Sequence, residues 1–204
     1  MIAIIDYDIG NISAVSNMLH RLGIKSKITA DKNDIERAEK IILPGNGAFD
    51  ACIKKLHETG LIPVLEKKVL LEKTPLMGIC VGAQLLGTES EEGQEKGLGW
   101  IKMKVKQFPQ SLNIRVPHMG WNYVRPTQKD NPLTADFVDN QTRFYFIHSY
   151  FMEPEQEETI LLKSNYGMDF AAAFCLGNIV GFQFHPEKSH RFGKQLLTRF
   201  AKDF

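Results

Sequence analysis

The 204 residues carry 25 lysines and arginines against 24 aspartates and glutamates, a formal net charge of +1. That balance supplies neither the basic field that gathers nucleic acid nor a polyanionic surface, and a chain of this length is expected to fold as one domain, residues 1–204, burying about 70% of its unfolded surface. No apolar run approaches the ~20 residues of a membrane span, and residues 1–8 run from apolar to acidic rather than forming a basic leader, so a cytoplasmic protein is expected.

Taken in chain order, residues 1–6 read as an apolar strand. Ile12, Val15, Leu19 and Leu22 then share one face of a helix that Gly23 ends. Residues 24–29 and 40–43 read as strands, Phe49, Cys52, Ile53 and Leu56 as a helix face, and 61–73 as a helix with Pro63 in its first turn. Residues 76–80 make the next strand. Strands alternating with helices predict a parallel sheet covered on both faces, with ligands collecting at the carboxyl ends of the strands. Segments 6–11 and 44–47 and residue Cys80 fall at such ends. The polar stretch 88–97 reads as a loop, and its charge mix from Glu89 to Lys96 as a solvated one.

Beyond it, Ile101, Met103 and Val105 alternate with Lys102, Lys104 and Lys106, the pattern of a half-buried strand. Residues 144–148, 159–163 and 170–184 continue a β-rich half, with Gly177-Asn178 as a two-residue hairpin turn. Residues 191–204 close the chain as a helix with Leu196, Leu197 and Phe200 inward. The second half is expected to extend the same sheet, which gives an α/β fold class: a central, mostly parallel mixed sheet flanked by helices.

Three cysteines at 52, 80 and 175 are an odd count without paired spacing, which argues against a disulfide framework or a zinc cluster. Cys52 and Cys175 sit in core patterns and are expected to pack. Cys80 differs. It ends an apolar strand within Gly78-Ile79-Cys80-Val81-Gly82-Ala83-Gln84, a sharp turn into a helix that exposes a thiol where its thiolate is favoured. Far downstream, His185 offers a base and Glu187 a carboxylate to orient it, the partners a sulfur nucleophile needs. Residues i and i+2 of an extended segment would point these two the same way, with Pro186 stiffening the link. His20, His57 and His190 lack such partners and are expected on the surface.

Pro44-Gly45-Asn46-Gly47-Ala48-Phe49, the Cys80 elbow and His185-Pro186-Glu187-Lys188-Ser189 together resemble the triad-type, class I glutamine amidotransferase family. Asp6-Tyr7 with Gly10-Asn11, Val116-Pro117-His118-Met119-Gly120-Trp121-Asn122 and Lys188-Ser189 narrow the resemblance to the glutaminase subunits of imidazole glycerol phosphate synthases. The resemblance spans essentially the whole chain and implies the flavodoxin-like class I amidotransferase fold. It also implies that Cys80, His185 and Glu187 form a catalytic triad that hydrolyses glutamine to glutamate and ammonia through a γ-glutamyl thioester. Backbone N–H groups of Val81 and of the Asn46–Gly47 loop would bind the oxyanion, and Gly47, Gln84, His148, Ser149 and Tyr150 would line the substrate site. His148 reads equally well as a satisfied core histidine.

No cofactor or metal is implied, and nothing in the chain would consume ammonia. The resemblance therefore implies a heterodimer with a (β/α)8 barrel synthase subunit, HisF-like, met by Asn11, Pro117, Met119, Trp121, Asn122 and Lys188. Ammonia would then serve imidazole glycerol phosphate synthesis in the histidine pathway. Similar paralogues serve enzymes that build amidino groups on bacterial surface sugars, and a non-catalytic interaction subunit or a thiol peptidase on the same fold are the readings from other classes. Two positions depart from the family pattern. Asp8 stands where glycine is usual, at a site where Asp tolerates a left-handed backbone, and Asn46 stands where valine is common. A peptide flip between Gly45 and Asn46 would drive residue 46 toward positive φ, which asparagine accepts more readily than a β-branched residue.

Overall fold

The computed structural model describes residues 1–128 and 130–204. Strand β1 (Ile2–Ile5) leads through helix α1 (Ile12–Arg21) to β2 (Ser26–Thr29), and helix α2 (Lys32–Glu36) leads to β3 (Lys40–Gly45). Helices α3 (Phe49–Glu58) and α4 (Ile62–Glu66) precede β4 (Leu76–Cys80), which runs directly into α5 (Val81–Gln84). The second half supplies β5 (Glu89–Ser90), β6 (Met103–Gln107), β7 (His118–Tyr123), β8 (Arg125–Pro126) and β9 (Arg143–His148). It ends with β10 (Tyr150–Pro154), β11 (Ile160–Asn165), β12 (Asp169–Leu176), β13 (Ile179–Phe182) and α6 (His190–Lys202).

The main sheet runs β2-β1-β3-β4-β13-β12-β10-β6-β5, with β11 and β8 joined alongside β12. Its first five strands pair in parallel, with β1, β4 and β13 buried along their whole length as a sheet covered on both faces requires, and β12 then returns antiparallel through the Gly177-Asn178 hairpin. Register matters for the site. Cys80 lies opposite Gly45, and Ile79 opposite Phe182, so the ends of β3, β4 and β13 open onto one edge. Leu196, Leu197 and Phe200 of α6 are buried, and Phe144 stacks on Phe184 at 3.9 Å. Among the described residues no helix is long and apolar enough to cross a membrane.

Four features depart from the sequence expectations. Residues 144–148 do not join the main sheet: β9 pairs with β7 in a separate antiparallel ribbon, because alternation marks a strand without naming its neighbour. The helix expected over 61–73 stops at Glu66 and continues as a π-helical turn, Lys67–Leu71, before Lys73 turns the chain at φ 58°. Helix α2 escapes a periodicity search by its shortness; its start is fixed by the Asp31 carboxylate, which accepts from the N–H groups of Asn33 (2.7 Å) and Asp34 (3.2 Å). The stretch from Glu89 to Lys96 is anchored rather than free. Its first residues pair with β6, and Asp50 accepts from the backbone of Gln94 and Glu95, both at 3.1 Å.

Candidate active site

Cys80 is the hinge of the β4–α5 elbow, with φ 54° and ψ −117°, and it is 4% exposed. A side chain held there costs about 1–3 kcal/mol, so the surroundings must over-determine it. They do so by backbone contact. A Cβ on Gly82 would run into the Leu43 carbonyl oxygen, and one on Gly45 into the Gly82 nitrogen. Only glycine at both positions lets the elbow press against the end of β3.

His185 Nδ1 lies 2.7 Å from Glu187 Oε1. A carboxylate oxygen accepts, so Nδ1 carries the proton and Nε2 is the nitrogen left for the sulfur. Burial alone would lower the imidazole pKa; hydrogen bonding and charge from Cys80 and Glu187 outweigh it and hold the pKa well above the ordinary 6.5. Among the described residues Glu187 Oε2 has no hydrogen-bond partner, which leaves the histidine as the carboxylate's main compensation. The link between the two is not extended as expected. Pro186–Lys188 is a 3-10 turn, since the fixed φ of Pro186 suits the first position of a helical turn. Ser189, fully buried, locks that turn by donating to the His185 carbonyl (2.6 Å) and accepting from the Tyr145 N–H (3.0 Å).

A cavity of about 310 Å³ opens over the sulfur. It gathers Asn46, Gly47, Cys80, Val81, Gln84, His148, Ser149, Tyr150 and His185, so every expected catalytic, oxyanion and substrate residue except Glu187 lines it. Glu187 stands behind His185. Pro117 and Lys188, expected to face a partner, also line the cavity, whereas Asn11, Met119, Trp121 and Asn122 do not. Asn11 caps the start of α1 by position, and Met119 and Trp121 are 58% and 42% exposed. Trp121 is thus on the surface, stacked on His190 at 5.5 Å with the Arg143 guanidinium 5.4 Å from its ring.

Two residues passed over in the sequence belong to the site. Glu92 lines the cavity while accepting from the Phe49 N–H at 2.9 Å; nothing in a run of mixed charge singles it out, and that bond together with the Asp50 anchor on Gln94 and Glu95 holds it there. Gln183, fully buried, takes a hydrogen bond from Gln84 Nε2 at 3.0 Å, and its own amide nitrogen lies 4.0 Å from Cys80 Sγ. Its place two residues before the base was the available signal.

The loop after β3 is held from behind. Tyr7 donates to the Pro44 carbonyl at 2.5 Å and the Cys52 thiol to the Asn46 carbonyl at 3.4 Å, and burial pushes the Cys52 pKa up to about 12. The loop's positive φ falls on Gly47 (101°), not on Asn46, and Asp8 adopts φ 63° between β1 and α1.

A strained cysteine elbow at the carboxyl edge of a parallel sheet, with a carboxylate-bound histidine lining the same cavity, places the chain among α/β proteins built around a thiol and its base. Comparison with known proteins is specific. The family model described as glutamine amidotransferase class-I matches residues 3–204. The imidazole glycerol phosphate synthase subunit HisH 2 of Pseudomonas aeruginosa is 51% identical over 202 residues, 99% of each chain, and that of Methanococcus maripaludis 48% identical with the same coverage. The solved structure of PurLQS from Thermotoga maritima superposes with a TM-score of 0.76 at 19% identity, covering 98% of this chain and 96% of its own, which shows the shared fold. The chain belongs to the class I glutamine amidotransferases, in their HisH branch.

Proposed function

We propose that this chain, as one amidotransferase domain, hydrolyses glutamine at Cys80 and delivers the ammonia to a synthase subunit making imidazole glycerol phosphate in histidine biosynthesis. The observation that carries the reading is the meeting of Cys80, His185 and the Glu187 carboxylate at one cavity, inside a chain whose full length matches HisH relatives. The sulfur attacks the side-chain amide carbon, and the proton held by His185 passes to the leaving nitrogen, releasing ammonia. Water, deprotonated by the same imidazole, then cleaves the thioester to glutamate and restores the thiolate. Negative charge on the carbonyl oxygen would be met by the Val81 N–H at the start of α5 and by an N–H of the Asn46–Gly47 loop. Glu92 offers the counter-charge for the substrate's α-ammonium, and Gln84, His148, Ser149 and Tyr150 shape the remaining wall.

Ammonia set free in water would protonate, so the cavity must open toward its consumer. The apolar side chains of Val116, Met119, Trp121 and Tyr123, each at least 42% exposed, form a surface suited to a barrel-shaped partner, with Lys188 at the cavity rim beside Pro117. The reading includes a heterodimer with that partner, in the cytoplasm. In a second reading the chain is a paralogous copy; two of its relatives carry the numbered name HisH 2. Such a copy would feed an enzyme making amidino groups on surface sugars.

The test measures ammonia and glutamate from glutamine, asparagine and a peptide panel, with and without the barrel synthase. Equimolar glutamate and ammonia from glutamine alone is expected. Peptide cleavage, or no turnover with the partner bound, would contradict it in favour of a peptidase or a non-catalytic subunit.

A further inference from the structure

Strand β7 has two faces. Met119, Trp121 and Tyr123 point outward, while His118, 3% exposed, and Asn122 point in. Asn122 Nδ2 donates to the Asn165 carbonyl (2.8 Å) and lies 3.2 Å from His118 Nε2. His118 Nδ1 lies 2.9 Å from His148 Nε2, and His148 Nδ1 lies 2.8 Å from the Tyr150 carbonyl. A carbonyl only accepts, so His148 carries its proton on Nδ1 and presents a lone pair at Nε2. His118 must therefore donate from Nδ1, which leaves its Nε2 to accept from Asn122. One arrangement of protons satisfies all three contacts, and in it both rings are neutral.

The geometry of His118 is set by packing as well. Its ring is stacked between Phe146 (4.8 Å, 24°) and Tyr166 (4.1 Å, 23°). At the far end of the chain of bonds, the Tyr150 carbonyl also accepts from Gln84 Nε2 at 3.2 Å. The same Gln84 amide reaches Gln183, whose nitrogen approaches the nucleophilic sulfur. A continuous run of hydrogen bonds, whose two branches converge as donors on the Tyr150 carbonyl, thus joins the inner face of β7 to the wall of the cavity.

We propose that His118 and His148 are positioning residues: a neutral imidazole pair that fixes the Tyr150 carbonyl, and through it Gln84, in the geometry that receives glutamine. The proposal rests on the glutaminase reading for its kinetic consequence, but its structural content stands apart from that reading. Losing the His118 donor leaves the His148 lone pair buried and unmatched, so the ring turns or admits water and the substrate wall loosens. Bond making at Cys80 is untouched, so substrate affinity suffers before turnover does.

Two measurements on the full-length protein test this. Nitrogen NMR of ¹⁵N-labelled histidine at pH 7 is expected to show His118 and His148 both as the Nδ1–H tautomer; the Nε2–H tautomer at either would overturn the proposal without reference to any activity. In steady-state glutamine hydrolysis, His118→Phe keeps the stacking but removes the hydrogen bonds, and is expected to raise KM about tenfold with kcat within about twofold. His118→Gln, whose amide donates one way and accepts the other, is expected to restore KM to within about twofold of the parent. A parent-like KM in His118→Phe, or equal losses in both variants, would overturn it. Absence of turnover in the parent protein with the barrel synthase bound would instead refute the glutaminase reading, leaving the tautomer result to decide the pair.

Discussion

At the scale of single residues, the three cysteines differ in what surrounds them. Cys52 is fully buried, spends its proton on the Asn46 carbonyl and has its pKa pushed up to about 12, so at neutral pH it offers no thiolate. Limited iodoacetamide is accordingly expected to modify Cys80 and abolish activity while leaving Cys52 intact; peptide mapping that finds Cys52 labelled in step with inactivation would contradict this. Glu187 acts one bond further back. Replacing Glu187 with Gln removes the carboxylate that, after Cys80, holds up the His185 pKa and lets either tautomer of the ring persist, so kcat should fall about 10²–10⁴-fold with KM little changed. The same substitution should move the pH-rate profile's histidine limb toward lower pH. A profile superimposable on the parent's would show that the carboxylate does not tune the base.

At the scale of elements, the elbow between β4 and α5 depends on backbone lying against backbone. Gly82→Ala places a methyl against the Leu43 carbonyl, and overpacking of this kind costs about 1–3 kcal/mol, or roughly 3–10 °C in thermal midpoint for a chain of this size. Calorimetry that finds the variant as stable as the parent would mean the crossing has more room than it shows. The loop after β3 is the other working element. With Gly47 carrying its positive φ, Asn46 is free to take one in an alternative peptide orientation. Asn46→Val should therefore change the ratio of partner-stimulated to basal glutaminase rates; an unchanged ratio would count against any such role.

The elements that the sequence made legible were those whose side chains repeat. The parallel strands, the faces of α1 and α3 and the Gly177-Asn178 hairpin each announce themselves locally, and so does the elbow, because its chemistry and its glycines are contiguous. What stayed hidden was relational. The β7–β9 ribbon, the approach of Glu92 through Asp50 and the pairing of His118 with His148 depend on residues far apart in the chain meeting in space. A single sequence carries no local trace of such pairings.

At the scale of the whole molecule, the sheet joins three distant stretches at one edge, and the histidine pair behind that edge couples its stability to pH. Burial pushes His118 down to about 4 and His148 to about 3, the latter helped by charge on His118 and His185 and opposed by the Tyr150 carbonyl. Both native values lie below the ordinary 6.5, so the unfolded chain binds protons that the native state refuses. Stability from the pair is complete above about pH 6.5 and is lost as pH falls toward 4 and 3. Thermal melts across that window should show a falling midpoint, with a shallower fall in His118→Gln; equal slopes would place the proton uptake elsewhere. The account as a whole turns on a covalent bond. Acid-quenched samples taken during glutamine turnover and examined by mass spectrometry should carry a γ-glutamyl group on the peptide containing Cys80, more of it in Glu187→Gln and none in Cys80→Ala. Steady release of ammonia by the Cys80→Ala protein, or an adduct on any other residue, would contradict it.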